Sequence, residues 1–120
     1  MPLTRAQGWK IALAIPGAEE RLWFNKPSVF LHDRFLAKVH DKEEAMTLQV
    51  ASIEMRDVML DADPKLFYIT DHYKNYPMIL ARLQALDSKT LKDMLVARAA
   101  QLAAMPPVKR PKKKSKKRKS

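Results

Sequence analysis

The chain has 120 residues, no cysteine and a formal net charge of +10. That length makes one domain with a self-sustaining core, and the missing thiols exclude disulfides, zinc–thiolate centres and cysteine nucleophiles. The basicity is segregated: residues 109–120, KRPKKKSKKRKS, hold nine of the 23 Lys and Arg and none of the 13 Asp and Glu, so subtracting nine leaves 14 basic against 13 acidic residues over 1–108.

TRAQGWKIALAIPG predicts a first helix. Thr4 and Gln7 have capping-box spacing, Trp9, Ala12, Leu13 and Ile15 supply a mostly apolar face, and Pro16-Gly17 stops it. Gly8 is an unfavourable residue inside that helix. Four short strands are expected next, in RLWFN, SVFLH, RFLAKVH and AMTLQVA, because aromatic and β-branched residues alternate with polar breaks. The breaks are Lys26-Pro27, His32-Asp33 and Asp41 to Glu44. In the third strand Phe35, Ala37 and Val39 point one way and Leu36, Lys38 and His40 the other. SIEMRDVMLDADP then reads as a helix capped by Ser52, with Ile53, Met55, Val58, Met59 and Leu60 as its apolar residues and Pro64 as its end. LFYIT and MILARLQAL are two further strands. SKTLKDMLVARAAQLAA closes the domain as a helix capped by Asp87 or Ser88, with Leu91, Met94, Leu95, Arg98 and Leu102 at helical spacing.

The order α-β-β-β-β-α-β-β-α groups strands together, so the expected class is α+β, an antiparallel sheet packed with helices. Phe35, Val39, Leu48, Val50, Phe67, Ile69, Leu80, Leu83, Leu91, Leu95 and Leu102 are its expected core. Pro106, Pro107 and Pro111 separate a domain over 1–105 from a Lys/Arg-rich tail over 106–120, which is expected to be disordered because its charge block 109–120 repels itself and has nothing apolar to bury. No apolar run approaches the ~20 residues of a membrane span, and the first residues do not resemble a signal peptide. A cytoplasmic monomer without a membrane partner is therefore expected.

Reaction chemistry finds little support. His32, His40 and His72 have no further ligand at metal-binding spacing, so no metal is expected. Gly8 and Gly17 cannot build a phosphate-cradling loop, so no nucleotide cofactor is expected either. The carboxylate pairs Asp61/Asp63, Glu19/Glu20 and Glu43/Glu44 read as solvated turns and helix ends. With no catalytic motif, the chain is not expected to be an enzyme.

TDHYKNYPMIL, residues 70–80, is the unusual stretch. Tyr73 and Tyr76 could stack bases while Lys74 and Arg82 hold phosphate. Alternatively, Pro77 sets the re-entry into a strand, both tyrosines bury their rings and His72 caps the turn. The second arrangement is ordinary core anatomy and is the favoured reading.

IALAIPGAEE, KPSVF, RFLAKV and LDADPKLFYITDHYKNYPMILARL, followed by a closing helix, resemble in that order the MmcQ/YjbR family of small bacterial proteins. The resemblance covers roughly residues 4–104. It is most specific from Asp63-Pro64 through His72-Tyr73 and Tyr76-Pro77 to Arg82-Leu83. It implies an α+β fold related to a double-wing module, and DNA binding. Many members resemble an HPxF pattern where this chain has Lys26-Pro27-Ser28-Val29-Phe30, so any chemistry of that histidine is absent here. The Lys-rich tail lies outside the family pattern.

The expected function is association with DNA or RNA. Lys109, Arg110, Lys112, Lys113, Lys114, Lys116, Lys117, Arg118 and Lys119 would supply most of the nonspecific phosphate affinity. Lysine predominates among them, which suits diffuse attraction more than bidentate base reading. Lys26, Arg34, Lys38, Lys74 and Arg82 are the candidates on the body. The alternative is a small protein–protein or ligand-binding module whose tail adds only charge. Clustering of the body's bases on one face favours the first, scatter the second.

Overall fold

Thr4 opens the first helix with both halves of the capping box: its hydroxyl accepts from Gln7 N at 3.1 Å and Gln7 Oε1 accepts from Thr4 N at 2.9 Å. A computed structural model describes residues 3–106; the basic run 109–120, with its nine candidate phosphate-binding residues and its expected disorder, lies outside the described residues. The elements are α1 (Arg5–Leu13), β1 (Glu19–Trp23), β2 (Lys26–Leu31), β3 (Arg34–Val39), β4 (Ala45–Gln49), α2 (Ile53–Ala62), β5 (Phe67–Tyr68), β6 (Met78–Arg82) and α3 (Ser88–Ala104), with one 3-10 turn over Asp71–Tyr73. Ser52 and Asp87 cap α2 and α3 through their side chains.

The strands form one antiparallel sheet of six in the order β1-β2-β3-β4-β6-β5. The fold is therefore α+β, in the element order expected. One face packs under α1 and α3 through Leu36, Met46, Leu48, Ile79, Leu83 and Leu95. Gly8 explains itself here: a Cβ would lie 2.7 Å from Met46 Sδ, so the bare backbone lets α1 approach β4. The opposite face carries a second cluster of Phe35, Ala45, Tyr73, Met78 and Leu80.

Four expectations change. The first hairpin does not break at Lys26-Pro27. It turns at Phe24-Asn25, with φ of 53° and 62°, and Lys26 and Pro27 begin β2 opposite Trp23 and Leu22. Proline is tolerated there because β2 pairs with β3 only over Val29–Leu31, so Pro27 has a ladder on one side alone. The alternation expected of β3 fails at a bulge: Val29 pairs with Ala37 but Phe30 with Phe35, which sends Leu36 and Ala37 together into the helix-side core. β5 shrinks to two residues, and β6 ends at Arg82 because Ala85 N and Leu86 N turn back onto Arg82 O and Leu83 O. Most of the apolar residues of α2 are not core: Ile53, Met55 and Val58 are exposed, and its buried residue is Arg56. Of the expected core, Val39, Val50 and Ile69 are half-buried and the other eight are buried.

Candidate functional site

The 70–80 stretch is a corner between β5 and β6. Tyr73 N, Lys74 N and Tyr76 N bond back to Thr70 O, Asp71 O and Tyr73 O at 3.0, 3.2 and 3.0 Å. The carbonyls of Tyr73, Lys74 and Tyr76 converge on α2. Arg56 Nη1 donates to all three, at 3.0, 3.1 and 2.8 Å. Its Nε and Nη2 donate to Asp57 Oδ1 at 3.1 and 3.0 Å. A buried guanidinium with its own counter-carboxylate thus closes the corner. The two tyrosines part company: Tyr73 is 8% exposed and Tyr76 is 55% exposed. Burial raises the Tyr73 phenol above its usual range. The exposed His72 ring stands edge-on to Tyr73 at 4.8 Å, and the guanidinium of Arg56 takes the capping role expected of His72. Pro77 follows directly and leads into β6.

The body's candidate bases are mostly engaged. Lys26 Nζ lies 3.4 Å from Asp41 Oδ2. Arg34 Nη2 donates to Pro106 O at 2.6 Å. Arg82 Nη1 donates to Pro64 O and Lys65 O at 3.0 and 3.2 Å, and its guanidinium sits 4.3 Å from the centre of the Tyr68 ring. Lys38 is only 9% exposed, and burial lowers its ammonium pKa. Lys74 is exposed on the corner. Strand register puts Lys26, Lys38 and Arg82 on the face away from α1 and α3, whereas Arg34 opens β3 at the end of α3. Arg21 shares their face but is held by Glu19 and by Asp33, the latter at 2.7 Å. The bases therefore do not form one free cationic face, so the body alone favours the protein- or ligand-binding module, and any phosphate affinity has to rest on the tail.

The β3–β4 connection is stapled by similar means. His40 Nδ1 accepts from Lys42 N and Glu43 N at 3.1 and 3.0 Å. Arg5 donates to Glu43 O at 2.7 Å and also to His40 O. The Tyr68 hydroxyl donates to Glu43 Oε1 at 2.7 Å; burial, aided by Glu43, pushes that phenol up to about 12. Burial is also the main cause lowering the His40 pKa, helped by Lys38 and Arg5 and opposed by Asp41 and Glu43. A neutral imidazole with Nδ1 as acceptor suits this loop. Among the described residues, no three His, Asp or Glu side chains are grouped to hold a metal ion, and no helix is long and apolar enough to cross a membrane.

Among the described residues two buried side-chain atoms have no hydrogen-bond partner, Thr47 Oγ1 and Arg98 Nε. A cavity of 210 Å³ opens among Met55 and Met59 of α2, Met94 and Leu95 of α3, and the end of β4. A second, of 370 Å³, is lined by Trp23, Phe30, Phe35, Arg34 and Met105. Arg98 and Gln49 line both. Arg98 Nη1 donates to Gln101 Oε1 at 2.8 Å, but its Nε is buried without a hydrogen-bond partner. Burial, and then neighbouring Arg34, lower its pKa.

Sequence reading missed the role of Arg56, although it is the one base between Ser52 and Pro64. It took Arg98 as part of a packing stripe; a charged residue at a core-facing spacing was the available signal. No protein-family model matches this chain, and neither the curated proteins nor the solved structures contain a match.

Proposed function

We propose that this chain is a nucleic-acid-associated protein of the MmcQ/YjbR type, without enzymatic activity, whose phosphate affinity comes mainly from residues 109–120. One observation carries the reading: nine of the 23 bases fall in that run with no acid, while Lys26, Arg34 and Arg82 of the body are engaged with the chain's own oxygens. Such a run attracts phosphate without regard to base sequence. Two tight hairpins support a wing-like body: β1–β2 turns on Phe24-Asn25 and β2–β3 on His32-Asp33, all four at positive φ. The protein would act as a cytoplasmic monomer on DNA or RNA.

The test is binding of the full chain to duplex and single-stranded probes across salt, against a variant with all nine tail bases replaced by glutamine. Each neutralised phosphate contributes ~0.9 to the log–log salt slope on duplex DNA. Several units of slope should disappear in the variant. Equal affinity and slope in both would move the contact onto the body. No binding by the intact chain at low salt would leave the protein- or ligand-binding module as the reading.

A further inference from the structure

We infer that the cleft divided by Arg98 and Gln49 is a binding site for a small amphipathic organic anion, a medium-chain aliphatic carboxylate. Three features converge on that chemistry. The first is charge. Arg98 and Arg34 both line the wider cavity, and the one acid beside them among the described residues, Asp33, already accepts from Arg21 at 2.7 Å. Among those residues, two guanidinium groups thus face a cavity whose carboxylate is shared with a third. An anion placed between them relieves their mutual repulsion.

The second is the orphan donor. Buried N–H groups are nearly always paired, because an unpaired one loses its water without compensation. Arg98 Nε is such an exception. It belongs to a residue lining both cavities, so its guanidinium borders their junction, and seating an acceptor on Nε itself requires that side chain to turn. The planar fork of an arginine suits a carboxylate.

The third is the shape of the apolar side. Among the described residues, the narrower cavity has Arg98 as its only charged lining residue, and Met55, Met59 and Met94 border it. Unbranched thioether side chains repack around a flexible chain at low cost. Its 210 Å³ falls below the ~300–1,000 Å³ of drug-sized sites, which selects a small ligand. The apolar body would lie among the methionines, with the carboxylate at Arg98 and turned toward Arg34.

The basic run 109–120 attracts anions of any kind, so the readout must be local. The experiment follows the methyl resonances of Met55, Met59 and Met94 in the full chain during titration with octanoate. Octanol, butyrate and inorganic phosphate serve as comparison probes. Octanoate should shift these signals saturably. Octanol, lacking the charge, and butyrate, lacking the length, should each bind at least tenfold more weakly. Phosphate should leave the methyls unmoved. Arg98→Met should weaken octanoate at least tenfold while keeping the tail intact. Ala97→Phe, at an exposed position on the cleft rim, should abolish binding without disturbing the fold, and it decides the matter if the Arg98 variant does not fold. Unmoved methyls at high octanoate, equal affinity in either folded variant, or octanol binding as well as octanoate would overturn the site.

Discussion

Arg56 and Arg98 are both helical arginines drawn into the protein, yet their surroundings differ in kind. Under α2, Arg56 meets three carbonyl oxygens and a carboxylate. Under α3, Arg98 meets one glutamine oxygen, a like charge and a cavity, and its Nε has no partner. The corner is a finished hydrogen-bond network, which fixes backbone and rejects change. The cleft is an unfinished one, and an incomplete network is where a ligand can contribute what the chain does not. Chemical type alone, a helical guanidinium with buried atoms, does not separate structure from function; satisfaction does.

The sharpest way to break the comparison is Arg56→Met. Lys74 O would lose its donor and Tyr73 O and Tyr76 O one of two, and the urea unfolding midpoint should fall by the equivalent of ~3–5 kcal/mol, since hydrogen bonds to a charged group contribute ~1.5–3 kcal/mol each. A loss under ~1 kcal/mol would place both arginines in one class. Next in size is the tyrosine pair on the same corner. Tyr73→Ala should cost ~3 kcal/mol, in the range for emptying an aromatic core site, while exposed Tyr76→Ala should stay within ~0.5 kcal/mol, as surface changes do. Equal losses would show that the corner is not organised from α2. Arg98→Met should be far gentler than its α2 counterpart. It removes an unsatisfied donor worth ~1–3 kcal/mol of desolvation but also some packing, so the midpoint should hold or rise slightly. A large loss would mean that Arg98 is already satisfied without ligand.

The smallest effect concerns His40, whose Nδ1 is another saturated group, as acceptor to two amides. Its folded pKa is depressed below the usual ~6.5. The unfolded chain therefore binds the proton more readily, and stability falls as pH drops below ~6.5 toward the folded value, then levels off. Unfolding midpoints measured through that window should show the decline, and His40→Gln should flatten it. A decline of the same size in the variant would assign it to the carboxylates.

Local features were legible because they depend on neighbours in sequence. Thr4 with Gln7, Ser52 and Asp87 all cap as their spacing indicates. Strand content survived for the same reason. The Phe24-Asn25 turn escaped because positive φ normally announces itself through glycine, and the adjacent Lys26-Pro27 looked like the break. The bulge in β3 is a property of pairing with β2, so its own sequence does not show it. Arg56 reaches carbonyls 17 to 20 residues away, and Arg34 meets Pro106 across 72. Such partners become visible only once the sheet has brought them together. The segregation of charge is the exception, a long-range property that composition alone displays.

The position of β6 has a consequence for the order of assembly. β1 to β4 can zip by successive hairpins, but β6 inserts between β4 and β5, so the sheet waits for residues 78–82. Until then β4, buried along Ala45–Leu48 in the finished sheet, presents an open apolar edge, and β5 has nothing to pair with. Unpaired edges of that kind recruit other chains. A chain emerging from synthesis, or one cut short before Met78, would be most prone to aggregate in that interval; arrival of Met78–Arg82 closes it.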